Sequence, residues 1–525
     1  MNIKELYLKA CEQHKAGKHE AALKIFDKII RRAPDYKDAY YMSASCWREL
    51  NNFVKEYSAL KKLLELLNIS SPGERIFASR VLSHIGNACT DLSLLKEAKE
   101  VYDLMITLSS PPKPDCLSSA IFLGNALEDS SPDYFLHFYS EYKKNFIDIK
   151  PYPKRFYDHK KIRVGFLSAD FCRHTTMTWS WSLMTGLDKN VFEIYFYSNG
   201  KVKDYITEHL RSIAEGWHDI FNLTDEEAAE LIYNDEIDIL FDLSGHTSGN
   251  RLCIAAYRPA TVQMSGIGYM NSTGLECFDY FLSDIYCAGD ESYFTEQLIR
   301  LPHSHFCYEP LTKKLDPVDF PPCIKNGFIT FGSFNKFYKM SDSILITWKK
   351  ILDAVPDSRL ILKAKMFNTK EGKTFAGEKL KNFGFDLKQI EMRPHSTNHL
   401  VEYGDVDIAL DTFPYTGGVT TCEALYMGVP VVSLYGDRHG SRFGLSILKN
   451  VGLEELAVDS YDEYIKRALM LASDWDLLTL LRKNLRTMMM NSQLLDSESY
   501  VREIKNAFIK ILSDAGTSAD ESYRE

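Results

Sequence analysis

The chain has 525 residues, 45% of them hydrophobic, which is enough for two or three domains with their own cores. A formal net charge of −10 argues against broad electrostatic binding to nucleic acid or anionic lipid, and leaves room only for a local basic pocket. No apolar run approaches the ~20 residues a membrane span needs, and Met1-Asn-Ile-Lys-Glu5 leads into an amphipathic helix pattern and not a signal peptide, so a cytoplasmic location is expected.

The first part of the chain repeats itself. Gly17, Ala22, Phe26, Ile29 and Pro34 have the spacing of the second half of a tetratricopeptide unit, and Asn51, Glu56, Leu60, Leu63 and Asn68 return to it one period later. Gly86-Asn-Ala, Ala98, Tyr102 and Met105 form a third, more degenerate copy. Each helix pair buries its apolar face only by stacking on the next, so the pattern predicts a short helical array. Its use as a peptide-docking surface or as a packing and dimerisation element stays open. Helices over 117–127 and 134–146 are expected to cap it, and Pro151-Tyr-Pro-Lys-Arg155 to start a linker. The helical domain is therefore placed at 1–150.

From Lys161 the pattern changes to short apolar strands separated by helices. Strands are expected at 162–168, 193–197, 237–243, 261–264 and 280–284, and helix at 226–234. After a Pro-rich connection at 316–322, strands are expected at 329–334, 359–364, 390–393, 408–411 and 430–434. Two α/β domains, 161–315 and 323–515, would then face each other across a cleft, with ligands beyond the carboxyl ends of the strands.

Four segments fall at such strand ends. Asp411-Thr-Phe-Pro-Tyr-Thr-Gly-Gly-Val-Thr-Thr-Cys-Glu423 has the form of a phosphate site: Gly417 and Gly418 let the backbone approach a ligand, Thr420 and Thr421 open a helix, and Glu423 is placed for ribose hydroxyls. Ser333-Phe-Asn-Lys-Phe-Tyr-Lys339 sets a lysine where it can neutralise a diphosphate leaving group. Ser168-Ala-Asp-Phe-Cys-Arg-His174 puts His174 at the edge of the first domain, to take a proton or bind a substrate oxygen. Asp242-Leu-Ser-Gly-His246 offers His246 as a second cleft histidine. His395 and His399 either flank a base ring or belong to a segment that simply caps a helix. The Asp405-Val-Asp407 pair runs into a buried strand and is read as structural, so no metal is expected. The eleven cysteines lack a Cys-x-x-Cys pair, and several, such as Cys89, Cys253 and Cys422, sit in apolar segments; buried reduced thiols are expected, neither disulfides nor zinc ligands.

With these residues in view, the chain resembles the O-linked N-acetylglucosaminyltransferases and their SPINDLY-like relatives, and among them a bacterial-type member with a short repeat array. The resemblance runs from Lys161 to Leu512. It is carried by Arg163-Val-Gly-Phe-Leu-Ser-Ala-Asp-Phe-Cys-Arg-His174, Asp242-Leu-Ser-Gly-His-Thr247, Arg258-Pro-Ala-Thr-Val-Gln263, Phe334-Asn-Lys-Phe-Tyr-Lys339 and the Asp411–Glu423 stretch. It implies a GT-B fold, two Rossmann-like domains behind an all-α tetratricopeptide-like domain. It also implies inverting transfer of N-acetylglucosamine from a UDP-sugar to Ser or Thr of a protein acceptor, without metal or other cofactor. By resemblance Lys339 contacts the donor diphosphate, Thr420 and Thr421 bind phosphate, Glu423 holds the ribose, His395 and His399 cradle the base, and His174 is proton acceptor or acceptor-positioning residue. Tyr269 and Asn335 join His246 as cleft or acceptor-side candidates. The expected partners are a nucleotide sugar and a protein docked by the repeats, with no nucleic acid and no membrane span, and with homo-oligomerisation open. The chain departs from the pattern at Gly266-Ile-Gly-Tyr-Met-Asn-Ser-Thr-Gly274 and at Val419, where animal members place a histidine. GDP-fucose or UDP-glucose as donor, the latter with transfer to Asn, and a non-catalytic scaffold are the alternatives.

Overall fold

A computed structural model describes residues 1–109, 111–310 and 315–516. The N-terminal region is built from α1 (Ile3–Lys15), α2 (His19–Arg32), α3 (Lys37–Glu49), α4 (Phe53–Leu66), α5 (Pro72–Asp91) and α6 (Leu95–Leu108). These pair antiparallel and stack, as the repeat pattern predicts. Ala22, Phe26 and Ile29 are fully buried, and in the degenerate third copy Tyr102 lies flat against Gly86, where a Cβ would meet its ring at 2.5 Å. Small residue against aromatic ring is what lets the two helices approach so closely. Two further helices, α7 (Pro114–Gly124) and α8 (Pro132–Lys143), end the region, and irregular backbone follows from Lys150 to Lys160.

Two all-parallel sheets follow. The first contains β1 (Ile162–Ser168), β2 (Phe192–Ser198), β3 (Gly216–Asp219), β4 (Ile239–Asp242), β5 (Val262–Gly266), β6 (Tyr280–Asp284) and β7 (Gln297–Leu301), in the order β3-β2-β1-β4-β5-β6-β7. The second contains β8 (Thr330–Ser333), β9 (Arg359–Lys363), β10 (Ile390–Arg393), β11 (Ile408–Leu410), β12 (Val431–Leu434) and β13 (Ala457–Val458), in the order β10-β9-β8-β11-β12-β13. The central strands are apolar on both faces because helices cover both. Edge strands β3, β7 and β13 were not expected from the sequence. Each is short or half exposed, so none carries the apolar run that marks a central strand.

Each sheet reverses its strand order once, between β1 and β4 in the first and between β8 and β11 in the second. Ligands of open α/β sheets bind in the crevice at such a reversal. All four chemistry-bearing loops therefore follow the four strands that flank the two crevices.

The sequence placed the last helix, Ser497–Asp514, with the second α/β domain, but it packs on the first. Phe508 meets the rings of Phe192 and Phe241 at 6.2 and 6.3 Å, and the Tyr500 hydroxyl donates to the His305 carbonyl at 3.1 Å. Its apolar face matches the flank of β2 and β4 left open beside α9 (Thr175–Gly186), and this strap joins the two domains.

The helical region is fixed to both sheets. Arg438, from the second domain, donates to the carbonyls of Gly124 (2.7 Å) and Leu127 (2.8 Å) and to the Ser130 hydroxyl (2.9 Å), all at the carboxyl end of α7. Ser130 also donates to the Gly124 carbonyl, so Arg438 adds a charged second donor to a turn that already closes the end of α7. Arg438→Ala is expected to destabilise the chain by about 2–3 kcal/mol and to speed amide exchange across α7 and α8, read by hydrogen-exchange mass spectrometry. Unchanged exchange there would show that Arg438 is not the anchor.

Candidate active site

The second crevice brings most of the expected donor residues together. Because β11 pairs with β8 in the register Ile408 to Phe331 and Ala409 to Gly332, the loops after both strands share one cavity. It is lined by Ser333, Phe334, Asn335, Tyr403, Asp411, Thr420 and Thr421 among others. The helix Val419–Tyr426 starts at this cavity with Gly418 as its N-cap, so its free N–H groups and dipole favour an anion there.

Asp411 organises the loop. Its carboxylate accepts from the N–H groups of Gly417 (2.7 Å) and Thr412 (2.8 Å) and from the Ser433 hydroxyl (2.7 Å). Burial pushes its pKa up to about 6, against the pull of those three donors and of Lys339. Asp242 does the same work in the first crevice, accepting from the Gly245 N–H (2.7 Å) and the Ser265 hydroxyl (2.9 Å), with its pKa also raised by burial to about 6. A buried carboxylate thus folds the turn after a central strand in both sheets.

Gly417 has no room for a side chain. A Cβ would stand 2.6 Å from Thr421 Oγ1, 2.8 Å from Thr420 Oγ1 and 2.9 Å from Asp411 Oδ1. Gly417→Ala is therefore expected to displace the two threonines, weaken nucleotide binding about tenfold and cost about 1–3 kcal/mol of stability. Titration calorimetry and thermal unfolding measure the two effects; wild-type affinity in the variant would remove these threonines from the binding site.

Lys339 is buried beside the same loop. Its Nζ donates to the Thr416 carbonyl (3.1 Å) and lies 3.4 Å from the centre of the Tyr415 ring. Burial, aided by Lys336 and opposed by Asp411, lowers its pKa to about 7. Thr416, Tyr415 and Asp411 offset the burial of this cation only in part, so it gains from a further negatively charged neighbour. Tyr415 in turn touches Phe122 of α7 edge to face at 6.2 Å, so the helical region abuts the wall over the lysine.

His399 Nε2 meets Glu423 Oε1 at 2.9 Å, and this bond raises the histidine's pKa. Asn335 Oδ1 accepts from the Thr420 hydroxyl (3.2 Å), so Asn335 lines the cavity of the second crevice together with Thr420, not the first crevice with His246 and Tyr269. His395 is exposed at the rim, with its N–H bonded to Asn368 Oδ1 at 2.8 Å. Sequence reasoning missed Phe334 and Tyr403, whose ring centres lie 4.5 Å apart with a 30° tilt, the Tyr403 hydroxyl reaching the Thr420 carbonyl at 3.1 Å. Phe334 stood inside a quoted motif, whereas Tyr403 had no local signal.

In the first crevice His174 caps α9. Its Nδ1 lies 3.3 Å from the Thr176 N–H nitrogen, 3.1 Å from the Thr176 hydroxyl and 3.3 Å from Asp170 Oδ2, and its side chain is 48% exposed. The two crevices meet nearby, since a Cβ on Gly418 would lie 3.3 Å from Trp179 of α9.

His246 and Tyr269 do not line the cleft as expected. His246 is buried with both ring nitrogens occupied, by the Ser118 hydroxyl (2.9 Å) and the Thr273 carbonyl (2.8 Å), and burial lowers its pKa to about 4. Tyr269 is equally buried and its hydroxyl accepts from Asn125 Nδ2 at 3.1 Å. In both cases helix α7 closes over the strand end, so these residues join the helical region to the first sheet. Asp405 and Asp407 are structural, as read: Asp407 accepts from the Cys323 and Thr330 N–H groups (2.9 and 2.8 Å) and Asp405 pairs with Arg393 (2.7 Å).

The sequence pattern of glycosyl transferase family 41 matches residues 143–312 and 323–504. The chain belongs to glycosyl transferase family 41. A Hordeum vulgare relative named "Probable UDP-N-acetylglucosamine--peptide N-acetylglucosaminyltransferase SPINDLY" is 36% identical over 398 residues, covering 73% of this chain and 42% of the relative. The Arabidopsis thaliana protein of the same name is 36% identical over 358 residues, covering 66% of this chain and 39% of its own length. The chain spans about two-fifths of the length of these curated relatives. A solved structure of a lysine-to-methionine mutant of the Thermobaculum terrenum O-GlcNAc transferase matches with a TM-score of 0.86 at 29% identity, covering 98% of both chains. The likeness extends through the helical repeats, so this family 41 chain has the GT-B architecture with the N-terminal array that the sequence implied. No helix among its described residues is long and apolar enough to cross a membrane.

Proposed function

We propose that the protein transfers N-acetylglucosamine from UDP-N-acetylglucosamine to Ser or Thr hydroxyls of a protein acceptor, with inversion and without a catalytic metal, in the cytoplasm. The observation that carries this reading is buried Lys339 set beside the loop and helix start formed by Gly417, Thr420 and Thr421. A diphosphate held there meets N–H groups, two hydroxyls and one ammonium, which supplies the charge that a divalent ion provides in other designs. The Asp-x-Asp pair is engaged by backbone N–H groups and by Arg393, which supports its structural reading. Glu423 then holds the ribose, exchanging His399 for the sugar hydroxyls, and the base lies toward His395, His399 and the Phe334–Tyr403 pair. Relatives named as peptide N-acetylglucosaminyltransferases support the donor and acceptor classes. The helical array is the proposed docking surface for the acceptor.

His174 is the proposed acceptor-side residue. The Thr176 N–H points at Nδ1, which leaves the ring proton of the neutral form on Nε2, where it donates to an acceptor or donor oxygen. His174 then positions the hydroxyl and does not deprotonate it. Asp170→Asn is expected to change kcat less than about fivefold, where a general base oriented by Asp170 would lose 10²-fold or more.

Thermal shifts with UDP and GDP, then transfer assays with UDP-N-acetylglucosamine, UDP-glucose and GDP-fucose and mass analysis of the product, test the donor and linkage. Preference for GDP would reassign the donor; an amide-linked product would reassign the acceptor. Failure of every nucleotide to bind at millimolar concentration would leave the scaffold reading.

A further inference from the structure

The outer end of the helical array holds a group of side chains unrelated to the crevices. We propose that His14 of α1, His19 of α2 and Cys46 of α3 form a zinc site that ties the first three helices together. His14 Nδ1 lies 3.0 Å from His19 Nδ1 and 3.2 Å from Cys46 Sγ, and the three potential ligand atoms all fall within 4.8 Å of one another. An imidazole nitrogen has one in-plane lone pair or one N–H, so His14 Nδ1 serves one of these contacts well as a hydrogen bond but not both. A cation at their meeting point satisfies all three.

The spacing suits zinc. Ligand distances of ~2.0–2.1 Å to nitrogen and ~2.3 Å to sulfur place neighbouring donors of a tetrahedral site about 3.3–3.7 Å apart. The 3.0 and 3.2 Å separations from His14 Nδ1 lie slightly below that range, so small outward rotamer adjustments admit the ion. His14 Nε2 contacts the Ser45 hydroxyl at 3.2 Å, an outer contact that holds the ring with Nδ1 toward His19 and Cys46.

Cys46 is buried, and burial raises its thiol pKa to about 12, with Cys11 and Glu49 adding to the shift. Zinc binding breaks the S–H bond and forms Zn–S, and the proton leaves to solvent. The two histidines are only half buried, which gives the ion a way in and leaves the fourth position to water.

The ligands come from three helices, so their spacing in sequence carries no zinc signature, and the sequence reading of the cysteines missed them. The first three helices share a small separate core, built around Leu6, Ala10, Ala22, Leu23, Phe26 and Ile29, and one ion bridging α1, α2 and α3 adds a polar cross-link to it.

The test uses the untagged full chain, stripped by chelator and titrated with zinc against a chromophoric indicator. Wild type should bind one zinc ion that His19→Ala and Cys46→Ser bind at least tenfold more weakly or not at all. His19→Ala removes a half-exposed ring and leaves the core intact, so it reports on the site and not on folding. Cobalt should give a thiolate charge-transfer band that Cys46→Ser abolishes, and zinc should slow amide exchange in α1–α3 of wild type alone. Equal zinc stoichiometry and affinity in wild type and His19→Ala would overturn the assignment, and so would no zinc binding at all. Saturation by copper(I) but not by zinc would show the wrong metal. Zinc bound at the buried Cys287, His305 and His439 group between the two sheets would survive both variants and is thereby distinguished.

Discussion

Lys339→Met is expected to lower kcat for sugar transfer by about 10²–10³-fold while leaving the nucleotide-free chain as stable as wild type or ~1 kcal/mol more so. The opposite signs share one origin. The ammonium sits in a buried place where burial lowers its pKa from the ordinary 10.5 to about 7, so at neutral pH the unliganded fold carries part of a charge it holds poorly. A folded-state value below the unfolded one means that the unfolded chain holds more protons between pH 7 and 10.5. The destabilisation is therefore full below pH 7 and is relieved as pH rises toward 10.5. Methionine fills similar volume beside Tyr415 and removes that burden. What it also removes is the charge opposite the departing diphosphate, where negative charge grows as the sugar–oxygen bond breaks. Single-turnover rates with UDP-N-acetylglucosamine and thermal unfolding without nucleotide give the two numbers. A variant that keeps kcat within threefold would take Lys339 out of the reaction; one that loses activity together with several kcal/mol of stability would make it a folding residue.

The cavity of the second crevice was legible because its signals are local. Ile408–Asp411 is an apolar run ending in a carboxylate, Gly417-Gly418 is a turn, and Thr420-Thr421 opens a helix, all within one short segment. Lys339 was legible by position after a strand, and pairing of β8 with β11 makes the two segments neighbours. What sequence did not show depends on contacts across long separations. His246 and Tyr269 stand at a strand end, as a cleft residue should, but Ser118 of α7 and Asn125 just past its end cover them. Tyr403 enters the cavity from a turn whose own residues carry no ligand-like pattern. The last helix changes domain because Phe508 fits the flank of β2 and β4, which helical periodicity alone does not specify.

The same lysine sets the pH dependence of nucleotide binding, with an expected loss approaching 100-fold in UDP affinity between pH 7 and pH 9. The diphosphate is already fully ionised above neutral pH, so its own charge contributes no slope there. The unliganded Lys339 begins to lose its proton near 7, while a bound diphosphate holds that proton and raises the pKa. Between the free and bound values each pH unit then weakens Kd by up to tenfold, and binding at pH 8 takes up close to one proton, visible as a buffer-dependent heat in titration calorimetry. On the acid side Asp411, raised by burial to about 6, gains a proton and loosens its hold on the Gly417 N–H, so tightest binding falls between about 6 and 7. His399 also titrates, and its pairing with Glu423 raises its pKa, so the control is Lys339→Met, which keeps His399 and Glu423. That variant should bind UDP weakly and with little slope above pH 7. A wild-type Kd that stays flat from pH 7 to 9 would mean that the diphosphate does not lie against Lys339, and the donor would then have to be placed elsewhere in the cleft.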